Sequence, residues 1–281
     1  MVENSEQATR QGNIHSLTTK GKTTGFLQPV PEIRLGWLLG WIVPFISLIT
    51  WELLSRNGVV PTNLLPAPSV VLKAIYDLAV RGELVNHITI TLFRVVVGFA
   101  IGTVISTILG AVTGYSSRYR RLLDPTLQAL RNIPSMAWVP LFLLWMGIYE
   151  TSKITLIAVG VLFPVYLNLM SGIQTVDRKL LEVGKVFGLS SFQMIKQIII
   201  PATLPAYIIG LRSGLSLGWM FVVAAEIMGA SQGIGFLMID GQMTGRPAII
   251  LGSVILFAIF GKLTDMALAY IGSYVIRWQK I

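Results

Sequence analysis

The stretches 35–51, 95–117, 132–149, 154–176, 197–211 and 247–261 contain no Asp, Glu, Lys or Arg. A helix that crosses a bilayer needs about 20 mostly apolar residues, because no lipid-facing backbone polar group can go unpaired. The gaps predict six spans, at about 35–54, 88–114, 123–147, 153–173, 203–229 and 248–272. The third and fifth hold proline or an internal charge. Only 12% of the 281 residues are charged and 53% are hydrophobic, where a soluble domain carries about 25% charged residues. The expected fold class is therefore an all-α membrane protein.

The chain has no cysteine, which excludes disulfides and thiolate metal sites. His15 is expected in an N-terminal tail and His87 in a loop, too isolated to form a metal centre. Residues 1–34 are polar and lack the apolar core of a signal peptide. They are expected to be a disordered cytoplasmic tail, with 35–281 forming one transmembrane domain.

Cations set the orientation. Thirteen Lys and Arg fall in the tail, in the loops after spans two and four, and at the C-terminus, against five on the other side. Both termini are expected in the cytoplasm, which agrees with an even span count. The net charge of +9 therefore reads as topology and contact with anionic lipid rather than nucleic-acid binding. Trp37, Trp41, Trp51 and Trp278 lie near span ends and read as interfacial anchors. Segment 66–84 repeats Val71, Ile75, Leu78 and Ala79 at helical spacing after Ser69, a candidate N-cap. It is expected as a helix on the outer surface.

One polar stretch between spans, 174–201, is organised. Asp177, Arg178, Lys179, Glu182, Lys185 and Lys196 interleave with Leu180, Val183 and Phe187, which predicts an amphipathic helix. Gly188 supplies a helix end at low steric cost. Ser190 or Ser191 can cap a second helix running to about Ile199, which Pro201 ends. The spacing is Glu182-Val183-Gly184, three residues, Gly188, nine residues, then Ile198-Ile199-Ile200-Pro201. It resembles the Glu-Ala-Ala loop of ABC importer permeases, departing at Val183, Gly184 and Ile200, which remain small or apolar.

The resemblance covers about 60–278. Leu92-Phe93-Arg94-Val95, Arg131-Asn132-Ile133-Pro134, Trp145-Met146-Gly147-Ile148, Leu162-Phe163-Pro164-Val165-Tyr166 and Ala224-Ala225-Glu226-Ile227 resemble permeases for sulfonates, taurine, nitrate and bicarbonate. Trp145–Lys153 and Phe163–Asn168 look more like the aliphatic-sulfonate group. The resemblance implies a type I (MetI-like) importer permease fold with six spans in a bacterial inner membrane. It also implies a second copy or a paralogous permease, two ABC ATPase subunits and an extracytoplasmic binding protein. Glu182, Gly188, Leu189, Ser190, Ser191, Phe192 and Pro201 would contact the ATPase and couple its closure to the spans. ATP and Mg would sit on that partner. This chain has no Gly-x-x-x-x-Gly-Lys-Ser/Thr loop, and the glycines of 229–235 lack a phosphate loop's lysine. No catalytic, cofactor or metal residue is expected.

Charges inside spans usually pair or face water. Arg94 and Glu226 fall at similar depth, at about 1.5 Å per helical residue, and are expected to pair near the outer mouth. Arg94 and Arg131 are candidates for lining an anion path. Lys262 and Asp265 stand three residues apart and can pair, with Arg212 competing for Asp265. Gly98, Gly102, Gly110 and Gly114 allow close helix approach, within the chain or between copies. A self-sufficient secondary transporter is the rival from another class. It needs coupling-ion residues at mid-membrane and leaves the 174–201 loop unexplained. An intramembrane enzyme lacks any Ser/His, paired Asp or His-Glu-x-x-His set.

Overall fold

The computed structural model describes residues 35–276, with side chains described from Ile42 onward apart from Ser135 and Met136. The tail 1–34, the side chains of Trp37 and Trp41, and Trp278 lie outside the described residues. The described chain is helical without strands: α1 Leu35–Arg56, α2 Pro68–Val80, α3 Glu83–Tyr115, α4 Ser117–Arg131, α5 Ser135–Met146, α6 Glu150–Gln174, α7 Arg178–Val186, α8 Ser191–Met194, α9 Ile200–Gly229, α10 Ile234–Met243 and α11 Pro247–Val275. The described chain divides into two units between Leu48 and Ile49. Both buried hydrophobic clusters belong to the second.

Among the described residues, four helical runs are long and apolar enough to cross a membrane: Glu83–Tyr115, Glu150–Gln174, Ser191–Gly229 and Pro247–Val275. They contain the expected second, fourth, fifth and sixth spans, the fifth beginning at Ser191 rather than near 203. The expected third span is not one helix. It is α4 and α5, broken at Asn132-Ile133-Pro134. Pro134 has no N–H to give and disfavours helical geometry at Ile133. The fifth is longer than expected. A π-helical turn, Ile195–Ile199, joins α8 to α9, so Pro201 does not end a helix. It occupies the first turn of α9, where its missing N–H costs little.

The core sits on α6, which packs between α3 and α9. Leu156, Ile157, Val161 and Val165 of α6 join Val95 of α3 and Leu215, Trp219, Phe221 and Val222 of α9 in one buried cluster. Small residues bring the helices together. A Cβ at Gly102 would stand 2.5 Å from the Ala158 carbonyl oxygen, and one at Gly98 would stand 2.7 Å from Ile157. Gly110 and Gly114 meet Leu169 and Ile173. The glycine stripe of α3 thus serves packing within the chain. On the other face of α6, Gly160 accommodates the Phe221 ring and Gly214 accommodates Val165.

Helix α2 buries Val71 and Leu78, with Ile75 against the cluster that includes Ile249 and Leu256 of α11. Ala79 is exposed. Its N-cap is Ala67, not Ser69. Ser69 instead donates its hydroxyl to Glu52 of α1 at 2.8 Å. Correspondingly, Glu52 receives Arg56 and the Ser69 N–H as well. His87 is not in a loop but inside α3, where its Nδ1 accepts the Gly233 N–H at 3.0 Å.

Candidate functional site: an exposed helical loop and a buried ion cluster

The 174–201 loop forms the two short helices expected of it. Asp177 caps α7 by accepting the Lys179 N–H at 2.9 Å. Gly188 ends the helix at φ +70°, a conformation that favours glycine. The Leu189 N–H reaches back to the Gly184 carbonyl and the Gly188 N–H to that of Lys185, both at 3.0 Å. Together these bonds form a Schellman end, which satisfies the last carbonyls of the helix. Ser190, rather than Ser191, caps α8. Its hydroxyl accepts the Gln193 N–H while the Gln193 side chain accepts the Ser190 N–H, a reciprocal capping box.

The two helices meet through Gly184. It is buried, and a Cβ there would lie 2.7 Å from Met194 Sδ and 2.8 Å from Ile198 Cδ1. The departure from the Glu-Ala-Ala pattern at this position is therefore a close-packing point. The apolar stripe faces away from the rest of the chain. Leu180, Val183, Val186, Phe187 and Phe192 are all exposed, Val186 at 86% and Phe187 at 79%. Glu182 and Ser191 are exposed, and Leu189 and Pro201 are half-buried. Several large apolar side chains exposed within one short polar stretch mark a candidate interaction site.

The charges within the helices sort into three groups. Arg94 and Glu226 meet as expected, Nη1 to Oε1 at 2.8 Å, each residue 1% exposed. A second carboxylate, unmarked in the sequence, joins them. Glu150, at the start of α6, accepts from both Nε and Nη2 of Arg94 at 2.6 Å. Lys153 stands 3.5 Å from the same Glu150 and donates to the Ile148 carbonyl at 2.7 Å. Glu226 also receives Thr91 Oγ1 at 2.7 Å and the Gly235 N–H at 2.8 Å. Arg94 Nη1 further donates to the Gln232 carbonyl at 2.7 Å. One cluster thus ties α3, α6, α9 and the 230–235 turn. Four of the five N–H donors of Arg94 are taken by Glu150, Glu226 and the Gln232 carbonyl, so the cluster acts as a tie between these elements.

Arg212 and Asp265 form a bidentate pair across α9 and α11, at 2.8 and 2.9 Å. Arg212 therefore takes Asp265, and Lys262 forms no ion pair among the described residues. Arg131 is elsewhere. It stands exposed at the end of α4, at the rim of a cavity of about 420 Å³ between the α4–α5 break, α6 and α9.

Residues 89–277 match the family described as "Binding-protein-dependent transport system inner membrane component". A Bacillus subtilis protein named for aliphatic sulfonates transport, SsuC, is 37% identical over 88% of this chain and 89% of its own length. The Escherichia coli protein of the same name is 38% identical over 86% of this chain and 94% of its own. The nitrate import permease NrtB of Synechocystis is 33% identical over 82% of this chain and 86% of its own. Among solved structures, an inward-facing MetNI methionine ABC transporter chain superposes with a TM-score of 0.60 at 19% identity, over 69% of this chain and 96% of that one. The match over most of the chain and the shared helical architecture place this protein in the binding-protein-dependent transport inner-membrane family, the permease subunits of ABC importers.

Proposed function

We propose that this chain is the permease of an ABC importer that carries an aliphatic sulfonate across the bacterial inner membrane. The observation that carries the substrate is its identity of 37–38%, over most of each chain, to two permeases named for that cargo. A taurine permease of Escherichia coli is 28% identical.

In this reading both termini are cytoplasmic. α1, α3, the α4–α5 pair, α6, the α8–α9 run and α11 make the six crossings. Two copies, or this chain and a paralogue, stand over two ATPases that bind ATP and Mg, and a binding protein delivers substrate on the outer face. The exposed stripe of Leu180, Val183, Phe187 and Phe192 seats in the ATPase. Glu182, Gly188, Leu189, Ser190, Ser191 and Pro201 set the shape and position of that stripe. Closure of the ATPases then moves α9 directly, because α8 continues into it. The chain itself catalyses no reaction.

The test is reconstitution into liposomes with the partner ATPase and binding protein. Uptake of labelled alkanesulfonate, taurine, nitrate and bicarbonate is measured with and without internal ATP. The reading expects ATP-dependent uptake led by the alkanesulfonate. Uptake by this chain alone, driven by an ion gradient, would make it a secondary transporter instead.

A further inference from the structure

We propose that the cavity beside Arg131 is an amphiphile site on the translocation path, in which the guanidinium takes the sulfonate and the apolar wall takes the alkyl chain. The inference rests on the sulfonate reading and places a selectivity for chain length on this chain.

Four observations converge. The cavity lies near the midpoints of α6 and α9, since Gly160 and Phe163 stand near the middle of Glu150–Gln174 and Leu217 near that of Ile200–Gly229. Its volume, about 420 Å³, is in the range of small-molecule sites, roughly 300–1,000 Å³. Arg131 is the one charged side chain among its described lining residues, and most of the remaining lining is aromatic and aliphatic, Phe163, Leu217 and Phe221 included. Finally, Arg94 and Arg212, in the long helices, are each held by carboxylates, whereas Arg131 has no ion pair or hydrogen bond among the described residues.

The local structure explains why the site exists. The break at Pro134 ends α4 at Arg131 instead of carrying the helix across the cavity mouth. Gly160 lets the Phe221 ring lie directly against α6, where a Cβ would stand 2.5 Å from it. A cation at one end of an apolar recess suits an anionic head with a hydrocarbon tail. Nitrate or bicarbonate would use only the rim. The planar guanidinium offers paired N–H donors to two oxygens of one anion, which a lysine cannot do.

The alternative is that Arg131 only offsets the negative end of the α4 dipole. A lysine would serve that purpose equally well, so Arg131→Lys separates the two. The complete transporter is assembled with Arg131→Gln, Arg131→Lys and, separately, Leu217→Trp, which narrows the cavity from a partly exposed position. Uptake of methanesulfonate, butanesulfonate and octanesulfonate is measured with the same binding protein throughout, so that a changed ratio belongs to this chain. Arg131→Gln is expected to lower uptake of all three by about tenfold or more, and Arg131→Lys to fall between it and wild type. Leu217→Trp is expected to leave methanesulfonate within about twofold and to lower octanesulfonate by about tenfold. Wild-type rates in Arg131→Lys, or equal loss of all chain lengths in Leu217→Trp, would overturn the inference. If the Arg131 variants fail to assemble, the Leu217→Trp ratio decides it alone. A wild-type complex that moves none of the three would instead sink the sulfonate reading, and this inference with it.

Discussion

Arg94 of α3 and Glu226 of α9 form a buried ion pair at 2.8 Å, although 132 residues separate them in sequence. A buried pair costs most when one partner is removed, because the other charge is left unsatisfied in a medium that cannot solvate it. Arg94→Ala or Glu226→Ala should each destabilise the protein by about 3–5 kcal/mol. Glu150 holds two N–H donors of the same buried guanidinium from a half-exposed side chain, so Glu150→Ala should cost less than either, about 1–3 kcal/mol. Thermal unfolding in detergent checks the order. The double variant Arg94→Ala/Glu226→Ala should lose less than the sum of the singles, in stability and in vesicle transport. A full sum would mean that the two residues act independently.

The turn that follows α9 is built around the same carboxylate. A Cβ on Gly233 would stand 2.5 Å from Glu226 Oε1, and one on Gly235 would stand 2.8 Å from Glu226 Cβ. Gly235→Ala should therefore push Glu226 off Arg94 and cost about 1–3 kcal/mol, as overpacking does. Combined with Glu226→Ala, the same substitution should add little. Comparing the melting temperatures of the two backgrounds tests this.

Contact between α3 and α6 predicts a graded series. A Cβ at Gly102 would stand 2.5 Å from the Ala158 carbonyl oxygen, whereas one at Gly110 would stand 3.2 Å from Leu169 and from the Tyr166 carbonyl oxygen. Gly102→Ala should lower stability by about 2 kcal/mol or more, and Gly110→Ala by less than about 1 kcal/mol. Equal losses would show that the helix spacing adjusts freely.

The Arg212–Asp265 pair should behave as an exposed tie. Asp265→Asn is expected to shift stability by no more than about 1 kcal/mol, with the effect shrinking as salt is raised. A charge-reversed pair, Arg212→Asp with Asp265→Arg, should restore most of any loss. Melting curves at low and high ionic strength provide the comparison.

These elements were legible in the sequence to different degrees. The Arg94–Glu226 pair was readable because two charges stood at matching depth in otherwise apolar stretches. Glu150 was not, because it lies just outside a charge-free stretch and looks like a loop residue; only the fold brings it under Arg94. The ends of α7 and α8 were readable because Asp177, Gly188 and Ser190 act on the backbone locally. Pro201 misled for the opposite reason. Proline is tolerated in a helix's first turn, and whether the chain before it stays helical depends on the π turn and on Ile199 packing. The broken third span was hidden because hydropathy does not register a kink, and Pro125, Pro134 and Pro140 look alike in sequence although only Pro134 lies at the break. The glycine stripe does not say in sequence whether its partner lies within the chain or in a second copy; the close approaches at Ile157, Ala158, Leu169 and Ile173 place that partner on α6.

The central claim is that the α7–Gly188–α8 element passes ATPase closure to α9. Gly188 tests it most directly because a Cβ there meets nothing within 4 Å, so the effect of substitution comes from its φ of +70° alone. Asparagine tolerates that region, whereas a β-branched residue pays about 1–2 kcal/mol or more. The measurement is ATP-driven substrate uptake by the reconstituted transporter, alongside co-purification of the ATPase. Gly188→Asn should transport close to wild type. Gly188→Val should insert normally in the membrane but lose the ATPase, or keep hydrolysis without uptake. A Gly188→Val permease that co-purifies with its ATPase and transports at the wild-type rate would contradict the account.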